Sequence, residues 1–569
     1  MEHRKLFKKE ELSKMELKAL TKMDLETKPS VIHHFKRLSY EKDCQYFVGI
    51  YVTDDGYHQE KSISDIVVAG NCEKYEARDL ILDICNDNLN GIMIDGGCYK
   101  ICGITAHLSG NGDDGIRVGA AIFACGDAKV EIENAVIRTE GYSRSALAVM
   151  DHAEVWLKHC RLHAEGLEFE KNMEENNPPE PPWQIGLRGN CRTTTLDDYG
   201  VVHYDDCYVS ARNWGVLSVD DDSAATHIYA KNSCFEVTGT NGYGWFTINC
   251  VVSQNYEEID EYGSFHVFDH CYLFVPTYVM YMSVGKTGAE YTNGTVIESK
   301  QYGICAFRSS GGLIQIRNKT VFRTGLAAFI VKGSSVTIEI ENSYFYPKNN
   351  VILQLMDNDD PGQLCNQFDI PLEDETRDES RDLTCACKKE DVFLRITKAN
   401  LEGDLFNATT NRVERRLPEP ENAEVPPNFI HVRGMRGKDL QGAKNLEVRL
   451  QDSTLTGIIS SAKASYRENL TVIDKSNCEE MSNVVCKAAE PINNGVILIL
   501  DGRSIWRVTE TSYLTCLRLE KGAVIEGIQG TSIRFFVNEK ETVLEEDHTY
   551  EGILRIEPFK IKNTGREEK

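Results

Sequence analysis

Three arginines and a scatter of aromatic and acidic residues carry the side chains best suited to chemistry. Arg144 in GYSRSA, and Arg188 and Arg192 in GLRGNCR, stand beside short apolar runs. A guanidinium at a strand end can grip a carboxylate through two parallel hydrogen bonds, as a uronate or another small organic acid would require. Tyr243, Tyr281, His203 and Asp220 are of types that give or take protons, and they are the candidate catalytic partners of Arg144 and Arg192. Trp183, Trp214, Tyr243, Tyr278 and Tyr302 each fall shortly before an apolar strand, as Arg144 does in its own segment. Stacked on successive strands, they would form a stripe of rings for the apolar faces of a sugar, with Arg188 nearby. The same spacing also suits rings that only pack one turn of chain on the next, and arginines that only pair with the acidic loop 168–183.

The stretch WGVLSVDDDS puts three carboxylates in a row. Asp220 aligns with Gly126, Asp151, Gly189, Gly285 and Gly333 as the first residue after a strand, a place for residues that tolerate a tight or left-handed turn. Asp221 and Asp222 are left over and could hold Ca²⁺, a weak site on three acids alone. Otherwise no metal or cofactor is expected. Cys385 and Cys387, with Cys365, are a weak C-x-C signal. Phosphate-loop, GxSxG, HExxH and dinucleotide fingerprints do not occur, which sets aside nucleotide, serine-hydrolase and zincin chemistry.

Positioning such residues needs a scaffold, and the chain of 569 residues supplies one by repetition. The pattern apolar, any, Asn/Asp/His, small, any, apolar places Asn134, His159, Asp206, Asn232, His270, Asn342 and Asp452 at its third position, with a looser copy at Asn318. The spacings are 25, 47, 26, 38, 48, 24 and 110, a period near 24 with skipped or enlarged copies. A second short strand precedes most copies. A unit of strand, turn, strand and polar corner cannot bury its own apolar side, but stacked copies bury a continuous core. The expected fold is all-β, a single-stranded right-handed parallel β-helix (solenoid) with an N-terminal cap and loop insertions. The small corner residues, Cys160, Cys207 and Cys271 among them, should form an interior column, and the Asn/Asp/His column should serve the bend. Four segments are expected: 1–45 as a helical cap, 46–356 as β-helix, 357–445 as an insertion with acidic and Pro-rich loops around one further coil, and 446–569 as C-terminal coils and cap.

The balance of 88 acidic to 63 basic residues, a net charge of -25, repels phosphate backbones and anionic membrane surfaces. Nucleic acid and membrane are therefore not expected partners; a small-molecule or saccharide ligand is, and the oligomeric state stays open. The charged start MEHRKLFKKEELSKMELKAL lacks a signal-peptide core, and no apolar run is long enough for a membrane span. With 19 cysteines in no framework spacing, reduced thiols and a cytoplasmic location are expected.

The combination GAAIFACGDAKVEIENAVIRTEG, WQIGLRGNCRTTT, NWGVLSVDDD, TGTNGYGWFTI and NNGVILILDGRSIWRVTETSYLTCLRLEKGAVI resembles a family of right-handed parallel β-helix proteins, pectate-lyase-like in fold, from anaerobic and gut-associated bacteria. The likeness spans roughly 65–350 and 445–540. It implies the fold, and by analogy with lyases an arginine acting as base near a carboxylate neutralised by a cation. The expected function is an intracellular pectate-lyase-like enzyme, a lyase, isomerase or hydrolase, acting on a saccharide or small ring-bearing substrate with or without a carboxylate. The alternative is a non-catalytic scaffold or carbohydrate-binding protein.

Overall fold

The computed structural model describes residues 22–36, 41–113, 115–167, 185–221, 226–249, 264–285, 287–359, 380–387, 390–410, 414–415, 444–467, 472–473 and 477–560. It divides into two compact units, one from residues up to Lys300 and one from Gln301 onward. Both are parallel β-helices, and the described residues contain no α-helix.

In the N-terminal unit the first sheet stacks Glu41–Thr53, Leu89–Asp95, Ile122–Cys125, Leu147–Val149, Arg192–Leu196, Trp214–Asp221, Gly242–Asn249 and Tyr278–Gly285, each parallel to the one before. A second sheet runs from Glu76–Cys85 and Cys98–Ser109 to Lys129–Glu140. From there the coils bend into separate strands on either side of a corner, such as Glu154–Lys158 and Arg161–Ala164. In the C-terminal unit Ser335–Glu341, Val392–Thr397, Leu446–Gln451, Val496–Leu500 and Ser512–Leu519 stack in the same way, so residues 392–410 form a full coil. An antiparallel strand, His548–Lys560, covers Ser512–Leu519 and ends the stack. Covering the last rung removes an open edge.

The corner has one geometry throughout. Asn134, His159, Asp206, Asn232, His270, Asn318, Asn342 and Asp452 have φ between +44° and +59°, the left-handed region where Asn and Asp cost least. Asn293 (+53°) and Lys398 (+49°) supply corners the sequence pattern passes over. The long gap between His159 and Asp206 is instead one enlarged coil, because Glu154–Lys158 pairs directly with Val201–Asp205.

The small residue after each corner does more than fill space. Cys160, Cys207, Ser233, Cys271, Ser343 and Ser453 each donate to the carbonyl two residues back, at 2.7 to 3.4 Å. Ser233 and Ser453 also accept the backbone N–H of Cys207 and Ala399 on the preceding coil. A thiol or hydroxyl thus satisfies buried backbone groups that a bent strand cannot pair itself.

Only part of the expected N-terminal cap falls on described residues. Residues 1–21 lie outside the described residues; from 22 to 45 there is a short 3-10 turn, Leu25–Thr27, and the strand Val31–Lys36. That strand pairs antiparallel with Glu41–Thr53. Pro29 and the β-branched pair Val31 and Ile32 favour extended backbone over helix. No helix of the described residues is long and apolar enough to cross a membrane.

Candidate functional site

Alternate residues of a strand share a face, so the register of the first sheet defines two columns. Tyr51, Met93, Phe123, Ala148, Thr195, Ser218, Phe246 and Tyr281 form one. Two residues further along, Thr53, Asp95 and Cys125 begin the other. At this end the strand Val31–Lys36 lies over the face: Val31, Phe35, Tyr46 and Tyr51 pack with Met93, Phe123, Cys125, Ala148 and Met150.

The overlying strand brings His33 down between two carboxylates. His33 Nδ1 lies 3.4 Å from an Asp95 oxygen and Nε2 3.3 Å from an Asp151 oxygen. Tyr51 donates to Asp95 at 3.1 Å, and the Cys125 thiol faces the other Asp95 oxygen at 3.7 Å. The edges of Tyr46 and Phe123 meet the imidazole at 6.3 Å. Exposure of 12% for His33, 24% for Asp95 and 25% for Asp151 leaves the centre reachable from solvent. Burial by itself would lower the His33 pKa, but the hydrogen bonds to Asp151 and Asp95 outweigh it and raise it to about 9. Burial likewise opposes ionisation of Asp95, and the bond and charge of His33 reverse this, so its pKa is lowered. Burial, reinforced by the Asp95 and Asp151 charges, pushes the Cys125 thiol well up.

Tight turns hold these groups. Gly126 and Asp127 (φ +59° and +55°), Asp151 and His152 (+51° and +64°), and Asp198 and Tyr199 (+37° and +63°) are left-handed pairs on successive coils. A Cβ on Gly126 would sit 2.8 Å from the Asp95 carboxylate. His152 and Tyr199 stack 4.5 Å apart, 7° from parallel, and Tyr199 is 41% exposed.

The expected site residues are placed differently. Arg144 is fully buried, its two terminal nitrogens bonded to the carbonyls of Asn86, Ser109, Gly110 and Leu89 at 2.6 to 3.1 Å. It ties loops together and is not aimed at a groove; burial pushes its pKa down to about 10. Tyr243, Tyr278, Tyr281 and Tyr302 are buried rather than displayed. Tyr243 meets the Ser218 hydroxyl at 2.6 Å, Tyr281 stacks on Phe246, Tyr278 sets its edge against Tyr281, and Tyr302, in the C-terminal unit, donates to the Met481 carbonyl. Packing is what these rings do. Trp214, half-buried at φ +69°, pairs with Gly242 and not Tyr243, so the expected column is out of step by one residue. Arg192 and Tyr243 do flank Gly215 on adjacent coils. Arg188 is half-buried, and its backbone N–H donates to Asn241.

Asp220 lies inside Trp214–Asp221, paired with Ile248, and does not follow the strand; Gly189 precedes its strand and does not follow it. An exact strand length cannot be counted from apolar residues alone, which explains both shifts. Trp183, Asp222 and Cys365 lie outside the described residues. Cys385 is exposed and donates to Asp382.

His203 sits on the second sheet, bonded to Glu154 at 2.8 Å and stacked between Trp156 and Tyr229 at 5.3 and 5.0 Å. Its two ring faces are occupied, which leaves edges for solvent. Beyond the corner, His163 links Ser210 at 2.8 Å to Glu165 at 2.9 Å, the connectivity of a nucleophile, base and orienting acid. Ser210, however, is 1% exposed, and Arg138 and Arg212 close on Glu165. This is a self-compensating charge ladder with no opening for an acyl group.

The His33 centre was only partly visible in the sequence. GIMIDGG, IFACGDA and LAVMDHA put Asp95, Cys125 and Asp151 at strand ends on neighbouring coils, but His33 arrives from an antiparallel strand outside the repeat. Compared with family models, curated proteins and solved structures, the chain finds no match.

Proposed function

We propose that the protein is an intracellular, pectate-lyase-like enzyme of lyase, isomerase or hydrolase type, acting on a saccharide or small ring-bearing substrate at the turn edge of the first sheet. The observation that carries this reading is one juxtaposition. The partly exposed His33, Asp95 and Asp151 centre adjoins the stacked rings of His152 and Tyr199, His152 being the residue next to Asp151. Tyr199 offers a ring to the apolar face of a sugar, and the His–carboxylate centre offers groups for proton transfer beside it. A saccharide as the substrate class is taken by analogy with enzymes that share the parallel β-helix fold. Arg144, Tyr243, Tyr278, Tyr281 and Tyr302 take structural roles in this reading.

The burial of those four tyrosines favours a second reading, a non-catalytic scaffold or carbohydrate-binding protein. A thermal-shift screen against mono- and oligosaccharides, uronates, glycosides and phenolic rings, followed by product analysis for every hit, separates the two. The enzyme reading expects a hit lost in Tyr199→Ala and a turnover lost in Asp151→Asn. Binding without turnover supports the binding protein. No hit of any class, with both variants as stable as the parent, overturns the enzyme reading.

A further inference from the structure

Asp95, Cys125 and His33 are an unusual set to find together for proton transfer alone. Their donor atoms lie within 4.8 Å of one another, the one such His/Cys/carboxylate group of three among the described residues. Two of the separations, 3.4 Å from His33 Nδ1 to one Asp95 oxygen and 3.7 Å from Cys125 Sγ to the other, are close to the roughly 3.3 to 3.7 Å spacing of ligands around a metal whose bonds are about 2.0 to 2.3 Å, with the Asp95 carboxylate spanning the imidazole and the thiol. The outer nitrogen of His33 faces Asp151 at 3.3 Å, the carboxylate–histidine arrangement that fixes the tautomer of a metal-bound imidazole. Gly126 leaves the space into which the Asp95 carboxylate fits. The apolar floor of Phe123, Tyr46, Met93 and Met150 keeps bulk water from one side.

We infer that this centre binds one zinc-class divalent cation through His33 Nδ1, Asp95 and Cys125 Sγ, with Asp151 positioning His33 and a fourth place left for water or substrate. A thiolate and an imidazole select a borderline-soft cation over Ca²⁺, which takes six or more oxygens. Charge is conserved. The cation displaces the proton on His33 Nδ1 and the thiol proton of Cys125, releasing two protons, so two carboxylates with an imidazolium become two carboxylates, a thiolate, a neutral imidazole and M²⁺. This deepens the proposed function and rests on it for the use of the fourth position; cation binding itself is measured separately.

The test uses the full chain carrying Cys385→Ala and Cys387→Ala, which removes two exposed thiols, after metal stripping. Titration with Co²⁺ is expected to give a thiolate-to-cobalt absorption band saturating at one equivalent and displaced by Zn²⁺. Cys125→Ser and Asp95→Asn should abolish the band. Asp151→Asn should keep it and weaken affinity about 10- to 100-fold, a loss that a folding defect would not confine to binding; circular dichroism checks the fold of each variant. No band in the parent, or a band unchanged in Cys125→Ser, overturns the inference, as does stabilisation by Ca²⁺ with none by Zn²⁺. Saccharide turnover by metal-stripped protein with no cobalt band would leave the proposed function standing and remove the cation. A one-equivalent band with no saccharide hit would do the reverse.

Discussion

Replacing Arg144 distinguishes a catalytic arginine from a structural one. Its guanidinium makes four bonds to main-chain carbonyls on two segments, at 2.7, 3.0, 3.1 and 2.6 Å, with no exposed surface. Each bond from a charged donor contributes roughly 1.5 to 3 kcal/mol. Deleting the side chain also relieves the cost of burying a charge, and each carbonyl keeps a second lone pair, so the net loss for Arg144→Ala is about 3 to 5 kcal/mol. Arg144→Lys should recover little, because a single ammonium cannot reach all four acceptors. Hydrogen exchange would localise the damage: amides in 86–90 and 109–112 should lose protection first. Denaturant unfolding supplies the magnitude. A variant within about 1 kcal/mol of the parent, with unchanged exchange in these loops, would refute the structural assignment and return Arg144 to the candidate catalytic residues.

The corner hydroxyl gives a second expectation: Ser453→Ala leaves the Ala399 amide without its acceptor and should cost about 1 to 3 kcal/mol, while Ser453→Cys, the residue found at this place in Cys160, Cys207 and Cys271, should cost less. Trp506, the one tryptophan beyond residue 301, is a fluorescent reporter for that unit once the other four are replaced. Glu140 should confer acid sensitivity. The His107 ring 3.5 Å away, joined by the hydrogen bond from Arg138 and only partly offset by burial, holds its pKa at about 2, against 4.5 unpaired. A folded value below the unfolded one stabilises above pH 4.5 and is lost as pH falls from there towards 2; for this half-exposed group the effect is about 1 to 2 kcal/mol. Stability of Glu140→Gln should therefore fall less steeply than the parent's across that interval. Gly126→Ala, at φ +59° and against Asp95, should lose about 1 to 2 kcal/mol from backbone strain and disturb the His33 centre; an equally stable variant with an intact centre would refute the close approach.

The sequence carries the β-helix because the repeat is local. Each unit must turn at a corner with positive φ, and the chain writes that requirement as Asn, Asp or His followed by a small residue, legible at Asn134, Asp206 or Asn342 without any tertiary knowledge. It also carries the chemistry of the small column, although not that Cys and Ser there act as donors to the carbonyl two residues back. What the tertiary structure decides is which side of a strand a residue faces and what lies over it. Tyr243 and Tyr278 have the composition of a binding stripe, but neighbouring coils bury them. Arg144 has the composition of a substrate clamp, but four carbonyls from other segments occupy it. Asp220 stays inside its strand because strand ends are set by pairing with the next coil and not by the last apolar residue. His33 is the strongest case. It lies outside the repeat, on a strand that folds back antiparallel over the sheet, and its meeting with Asp95, Cys125 and Asp151 across 62 to 118 residues is fixed only when the cap strand docks on the apolar face of Phe123 and Met93.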